Sequence, residues 1–429
     1  MQKKNLERMI VIAISSNIFV IGWVARTINE ICNIGFIDEI GKYAWMLSGG
    51  LFCSVVLGFL VSNKIYKGIG YFVRYLKVIH SLERQMIDVG LCIDRGRYLE
   101  LPQIKLCFEK GFSKGTLRIR NSLKFDKKLD SIVLSSALGN FIVECHYMTD
   151  DGNFYVYELM DGSISYKLTF RSYDEFKEYN KGIPTYKLFL DSRSVVPVSH
   201  ALVVGSTGSG KTYFLYTLIL EMKNKDVEFE LYFIDLKGSS IEVVGNVLAP
   251  DKTAVTVEET VKLLEVFVEN MRVRKSEIKE LLKTKLDSDY SDFGLSPAIL
   301  IFDEYASFSL IMDKEEKKFR DKVKALLSEI VLQGRQLGYF LVITMQKSDA
   351  SLIETYLRDN LPLKVCLGNA EKQTIITCFG TGVDLPARFM YVGDGFFTSP
   401  VVANKPKLIM SPSCGFDILE AVKTCAPGM

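Results

Sequence analysis

Residues 205–212 read GSTGSGKT, the spacing G-x-x-x-x-G-K-[ST]. Gly205, Gly208 and Gly210 let the backbone curl so that its N–H groups face one point, where a Cβ would obstruct a polyanion. Ser206, Thr207 and Ser209 complete the loop, and Lys211 brings an ammonium on a flexible stem. The apolar run HALVV before it and TYFLYTLIL after it predict strand, loop and helix, so a helix N-terminus adds its positive end. That chemistry suits the triphosphate of ATP: Lys211 reaches the β- and γ-phosphates, and the Thr212 hydroxyl completes the shell of Mg²⁺. A glycine-rich turn that matches by chance is the alternative, and a second motif argues against it.

The second motif is AILIFDE at 298–304, an apolar run that delivers two adjacent carboxylates. Asp303 is expected to organise Mg²⁺, and Glu304 to polarise an attacking water. An acid pair after a strand can instead cap a helix, but the second acid here favours hydrolysis over nucleotide binding alone. Two more runs end in polar residues: ELYFIDLKG, in Asp235 and Lys237, and GYFLVITMQ, in Thr344 and Gln346. In a parallel sheet all these carboxyl ends gather on one edge, where ligands bind. Gln346 is then expected to sense the γ-phosphate or orient water.

The elements that hold these residues follow from periodicity. Thr256-x-x-Glu259 is a capping box. Val257, Val261, Leu264, Val268, Met271, Ile278 and Leu282 recur at helical spacing as a core face. The other face and its extension carry Arg272, Arg274, Lys275, Lys279, Lys283 and Lys285, a solvated basic face or a contact to phosphates. Upstream, LPQIKLCF, TLRIRNSLKF, FIVECHYM, NFYVYELM and SISYKLTF predict short strands between 98 and 170, with hairpin signals at 150–153 and at Asp161-Gly162. No catalytic constellation falls there, so an adaptor or oligomerisation module is expected. The polar stretch 174–182 reads as a link to the nucleotide-binding part of the chain.

Two apolar stretches open the chain, at 9–25 and 43–62. A bilayer-spanning helix needs about 20 apolar residues, with about 17 as a lower limit. A signal peptide is the competing reading of the first, but Ala25-Arg26-Thr27 makes a poor cleavage site. Lys3, Lys4 and Arg8 precede the first stretch, and Lys64, Lys67, Arg74 and Lys77 follow the second, so both termini are expected in the cytoplasm.

Composition bounds the rest. Lys+Arg 53 against Asp+Glu 51 gives a charge of +2, so any basic surface is local. The nine cysteines are scattered without C-x-x-C, which fits reduced thiols. His80, His146 and His200 lie far apart, against a histidine metal site.

Taken together, GSTGSGKT, DLKG, LIFDE and GRQLGYFLVITMQ resemble the FtsK/SpoIIIE family of DNA-pumping ATPases over roughly 200–412. TGSGKTYF, LIFDEYASF, GRQLGYFLVITMQKSDA and LRDNLPLKVCLGNAEK look most like the coupling ATPases of Gram-positive conjugative elements. The resemblance implies an α/β fold: a RecA-like P-loop NTPase domain (183–429), behind a juxtamembrane helix and small β-rich adaptor domain (63–182) and a two-span anchor in the cytoplasmic membrane (1–62). It also implies a homohexameric ring that moves DNA, and a relaxase and secretion-channel proteins as partners. An arginine from the neighbouring subunit would act on the γ-phosphate; Arg335 is preferred, and Arg358 is the other candidate. DLK departs from the family's D-P-K, and Met345-Gln346-Lys347 from its Q-R-P. A protein-export motor of the type VII kind and a chromosome or plasmid segregation translocase are the competing readings.

Overall fold

Apolar side chains surround helix α1 (Lys3–Cys32) and helix α2 (Gly35–Ser62), and most stay exposed: Phe19, Ile21, Trp23, Met46 and Leu57 are all more than half accessible. Both contain 28-residue segments, Asn5–Cys32 and Gly35–Ser62, long and apolar enough to cross a bilayer. Small residues form the contact between them. Ser15 Oγ donates to Ser48 O and Ser48 Oγ to Ser15 O, each at 2.9 Å. A Cβ on Gly41 would lie 3.2 Å from Gly22 O, so only a minimal side chain allows this approach.

In this computed structural model the described residues are 3–426 except 33, 133, 135–136, 347–351, 382, 384 and 386–388. Lys347 of the MQK sequence therefore lies outside them. The chain divides into two units, Met1–Ile164 and Ser165–Met429.

In the first unit α2 is followed by helix α3 (Ile69–Asp88), whose Tyr71, Tyr75, Val78, Leu82 and Met86 recur on one buried face. Strands β1 (Ile104–Phe108), β2 (Lys114–Arg120), β3 (Phe141–Met148) and β4 (Phe154–Asp161) form an antiparallel sheet in the order β1-β2-β4-β3. The hairpin signal at 150–153 is a turn: Gly152 takes φ +68°, and Asp151 Oδ1 accepts from Asn153 N at 3.0 Å. The expected hairpin at Asp161-Gly162 is not one. Gly162 N donates back to Asn140 O at 2.8 Å and the chain leaves the sheet, so SISYKLTF is not a fifth strand of it. The residues Thr169–Phe170 instead pair with Ser413–Cys414 in the second unit.

The second unit begins with helix α4 (Tyr173–Lys181), which the sequence presents as a polar link. Its buried Phe176 stacks near Phe170 and Phe189, with ring centroids at 5.1 and 5.7 Å, so the stretch packs into this unit's core. The central sheet has eight strands. In chain order they are β5 (Ala201–Gly205), β6 (Glu230–Asp235), β7 (Thr253–Ala254), β8 (Ala298–Asp303), β9 (Tyr339–Met345), β10 (Leu363–Leu367), β11 (Asp394–Ser399) and β12 (Ala403–Met410). The spatial order is β7-β6-β8-β9-β5-β10-β11-β12; the first six run parallel, and β11 and β12 add an antiparallel hairpin at one edge. Strands β5 and β9 are buried at every residue, which is why they read as unbroken apolar runs.

The crossovers are helical. Helix α5 (Lys211–Lys223) follows β5, α6 (Ser240–Leu248) follows β6, and α7 (Val257–Leu281) leads toward β8. Helix α8 (Tyr305–Met312) and α9 (Lys317–Leu337) then lead to β9. The capping box of α7 forms in both directions: Glu259 N donates to Thr256 Oγ1 at 3.2 Å, and Thr256 N to Glu259 Oε2 at 3.0 Å. The fold is the expected α/β P-loop NTPase arrangement.

Candidate nucleotide site

All six parallel strands point their carboxyl ends to one edge, and β5 delivers Gly205 there. The loop 206–210 folds over it with Gly208 at φ +81° and Gly210 at φ +96°, conformations that L side chains rarely adopt. The space is as restrictive as the dihedrals. A Cβ on Gly210 would sit 2.8 Å from Gly393 N, whose hydrogen bond to Ser209 O spans 2.9 Å. Ser206 O accepts from Ser209 N at 3.0 Å, closing the loop. Ser209 is buried, and its Oγ has no partner among the described residues. The first turn of α5 opens with Lys211 and Thr212, both half-buried. A cradle of this backbone, with a helix start and a lysine, fits a triphosphate.

The neighbouring strand ends bring the acids alongside. Asp235 of β6 and Asp303 of β8 are register partners, and Ile343 of β9 pairs Phe302, which puts Thr344 beside Asp303. Thr344 Oγ1 donates to Asp303 Oδ1 and accepts from Glu304 N at 3.2 Å. Lys211 Nζ lies 3.4 Å from the same hydroxyl, 3.5 Å from Glu304 Oε2 and 3.8 Å from Asp303 Oδ1. The P-loop lysine and both acids therefore meet around one threonine. Asp303 and Thr212 have the donor chemistry for Mg²⁺, which takes few protein ligands and shares the rest with phosphate and water.

Glu304 stands at the N-cap position of α8, where its side chain makes no capping bond to the helix, and its backbone lies in the left-handed region, φ +48°, ψ +55°. That costs a non-glycine residue about 1–3 kcal/mol and recurs at functional positions. The carboxylate is buried; Oε1 accepts from Gln346 N at 3.3 Å, and Oε2 lies 3.4 Å from Lys237 Nζ.

Asp235 does not reach this centre. It is fully buried and builds the next loop: Oδ1 accepts from Lys237 N at 3.0 Å, and Oδ2 from Ser239 N at 2.8 Å and Glu242 N at 3.1 Å. Ser239 Oγ donates to Asp235 Oδ2 at 2.5 Å and lies 3.3 Å from Asp303 Oδ2. Thr344 and Lys237 are thus the side chains that sequence reasoning left without a role. Their one signal was position, as polar residues ending apolar runs.

Gln346 follows β9 at the same edge, with an exposed side chain and its backbone N–H on Glu304. Arg335 is elsewhere. It lies in the last turn of α9, before β9 begins, at the amino ends of the strands and exposed. Arg358 is in a short helix, Thr355–Asp359, before β10, with Nε 3.5 Å from Asp359 Oδ1. Neither joins the P-loop of its own chain.

Beside Arg335 a cavity of about 650 Å³ is lined by His200, Lys275, Gln336 and Asn360 among others. Burial, and then the Arg335 charge, push the His200 imidazole down to about 4; its Nδ1 accepts from Leu341 N at 3.0 Å. The basic face of α7 and of the segment that follows it is largely neutralised within the chain. Arg272 pairs with Glu329 at 2.7 Å, Arg274 with Glu277 at 3.0 Å, Lys283 with Glu280 and Lys285 with Asp292 at 2.5 Å, while Lys275 donates to Gln333 at 2.7 Å.

Residues 180–294 match the FtsK/SpoIIIE family. Among curated proteins, the FtsK domain-containing protein YdcQ of Bacillus subtilis is 27% identical over 288 residues, covering 63% of this chain and 56% of YdcQ. DNA translocase FtsK of Staphylococcus aureus is 25% identical over 215 residues, covering 46% of this chain and 26% of the translocase. The chain therefore spans little more than half of one relative and about a quarter of the other. A solved structure of the pCW3 conjugation coupling protein TcpA, in its monomer form with ATPγS, has TM-score 0.49 and 16% identity, covering 82% of this chain and 99% of that one. Residues 180–294, which include the P-loop, thus carry an FtsK/SpoIIIE-family domain.

Proposed function

We propose that this protein is a membrane-anchored ATPase that pumps DNA and acts as the coupling protein of conjugative transfer. The observation that carries the hydrolytic part is Lys211 Nζ within 3.8 Å of both Asp303 and Glu304, directly beneath the P-loop. In this reading Lys211 exchanges the acids for the β- and γ-phosphates when ATP enters the cradle formed by Gly205, Ser206, Thr207, Gly208, Ser209 and Gly210. Glu304 accepts the proton of the attacking water, and Gln346 orients that water or reads the γ-phosphate. Asp303 and Thr212 would hold Mg²⁺, which would neutralise phosphate charge.

The DNA part rests on the family match and on the FtsK translocases among the relatives. Arg335, remote from its own P-loop, is free to reach the site of a neighbour in a homohexamer. The two apolar helices support residues 1–62 as the anchor, with both termini cytoplasmic; the rest of the first unit is the adaptor, and the second unit, from Ser165, is the motor. A relaxase and channel proteins complete the assembly.

The test is ATP turnover by the full chain in lipid nanodiscs at low salt, with and without single- and double-stranded DNA. Severalfold stimulation by DNA, absent in Lys211→Ala, is expected. Turnover indifferent to both DNA forms overturns the DNA reading, and turnover raised by small helical export substrates instead favours a protein-export motor.

A further inference from the structure

The geometry points to Lys237 as a positioning residue for Glu304, the group that keeps the base aimed once Lys211 has left for the phosphates. This role rests on the hydrolytic reading of the site. Two ammonium groups flank Glu304 Oε2, Lys211 at 3.5 Å and Lys237 at 3.4 Å. Only the first belongs to the P-loop, and the triphosphate claims it. Among the described residues, the remaining hold on the carboxylate is then Lys237 on Oε2 and the Gln346 N–H on Oε1. These two contacts fix the rotamer of a base that sits on a strained left-handed residue, and a misplacement of about 1 Å costs about 100-fold in rate.

The loop that presents Lys237 is built for a fixed position. Buried Asp235 takes the Lys237 N–H, the Ser239 N–H and hydroxyl, and the Glu242 N–H, four bonds between 2.5 and 3.1 Å. Gly238 supplies a φ of +65° for the turn. Ser239 Oγ also lies 3.3 Å from Asp303 Oδ2, which ties the loop to the acid pair itself. Asp235 thus commits three backbone N–H groups and the Ser239 hydroxyl to one turn, and that turn sets an ammonium at the base. A lysine on a solvated loop would have no reason for such a frame, and this side chain is 42% exposed, so its truncation leaves the core intact.

The experiment compares Lys237→Ala and Lys237→Arg with the unaltered full chain in nanodiscs, reading kcat, KM for ATP and the affinity for ATPγS. Lys237→Ala is expected to lower kcat about tenfold or more, with KM and ATPγS affinity within about threefold, the pattern of an interaction needed in the transition state. Lys237→Arg, which keeps the charge, is expected to recover much of kcat. An unchanged or faster kcat in Lys237→Ala overturns the assignment. So does a loss of ATPγS affinity that matches the loss of rate, because Lys237 would then be a phosphate ligand. If the unaltered chain hydrolyses no ATP, the hydrolytic reading itself fails; if it hydrolyses ATP and Lys237→Ala keeps pace, only the positioning role does.

Discussion

Thr344 has one hydroxyl and three duties: it donates to Asp303, accepts from the Glu304 N–H and lies 3.4 Å from Lys211. Its isostere Thr344→Val removes all three and leaves a buried N–H unpaired, at about 1–3 kcal/mol. The expected result is a lowered melting temperature and at least about tenfold lower ATP turnover. Lys211→Ala and Glu304→Gln should separate binding from chemistry: the first loses ATPγS affinity and turnover together, and the second loses turnover while titration still shows ATPγS bound. The contrast in legibility lies at this same scale. Gly205, Gly208, Gly210 and Lys211 stand within one unbroken string, so their joint purpose could be read directly. Thr344 and Lys237 meet Glu304 only because parallel strands far apart in the chain end side by side, and no local pattern encodes that register.

Among elements, the P-loop is the least tolerant. Gly210→Ala asks for a side chain at φ +96° and 2.8 Å from Gly393 N, so ATPγS affinity should fall steeply while far-UV circular dichroism stays unchanged. Helix α7 is the opposite case. Its capping box and apolar face were legible from spacing, but the balance of its basic face was not, because Glu329 reaches Arg272 from α9. Both partners keep substantial solvent contact, so Glu329→Gln should change stability by less than about 1 kcal/mol in denaturant titration. The amino ends of the strands carry a titration of their own at His200. The unfolded chain takes up a proton near pH 6.5, whereas the folded imidazole waits until about 4. Stability from this group is therefore complete above pH 6.5 and lost as pH falls toward 4, about 3 kcal/mol in all. His200→Asn, whose amide oxygen can accept the Leu341 N–H, should flatten that part of the melting temperature against pH.

For the whole molecule, the α/β nucleotide-binding fold and the apolar hairpin were legible because each has its own periodicity and length. The unit boundary was less so. The polar spelling of 174–182 hid Phe176, a single aromatic whose partners Phe170 and Phe189 place it in the second unit. One contact within that unit has a consequence in time. The back of the P-loop rests on Gly393, which donates to Ser209 O, while Lys167 Nζ reaches Val392 O at 2.5 Å from the start of the unit. A nascent chain that has emerged from the ribosome only through residue 380 holds the entire GSTGSGKT string and both acids, yet lacks the surface that sets the loop. Competence to bind nucleotide should thus arrive only when the segment carrying Val392 and Gly393 has emerged and docked, well after the P-loop string itself is complete.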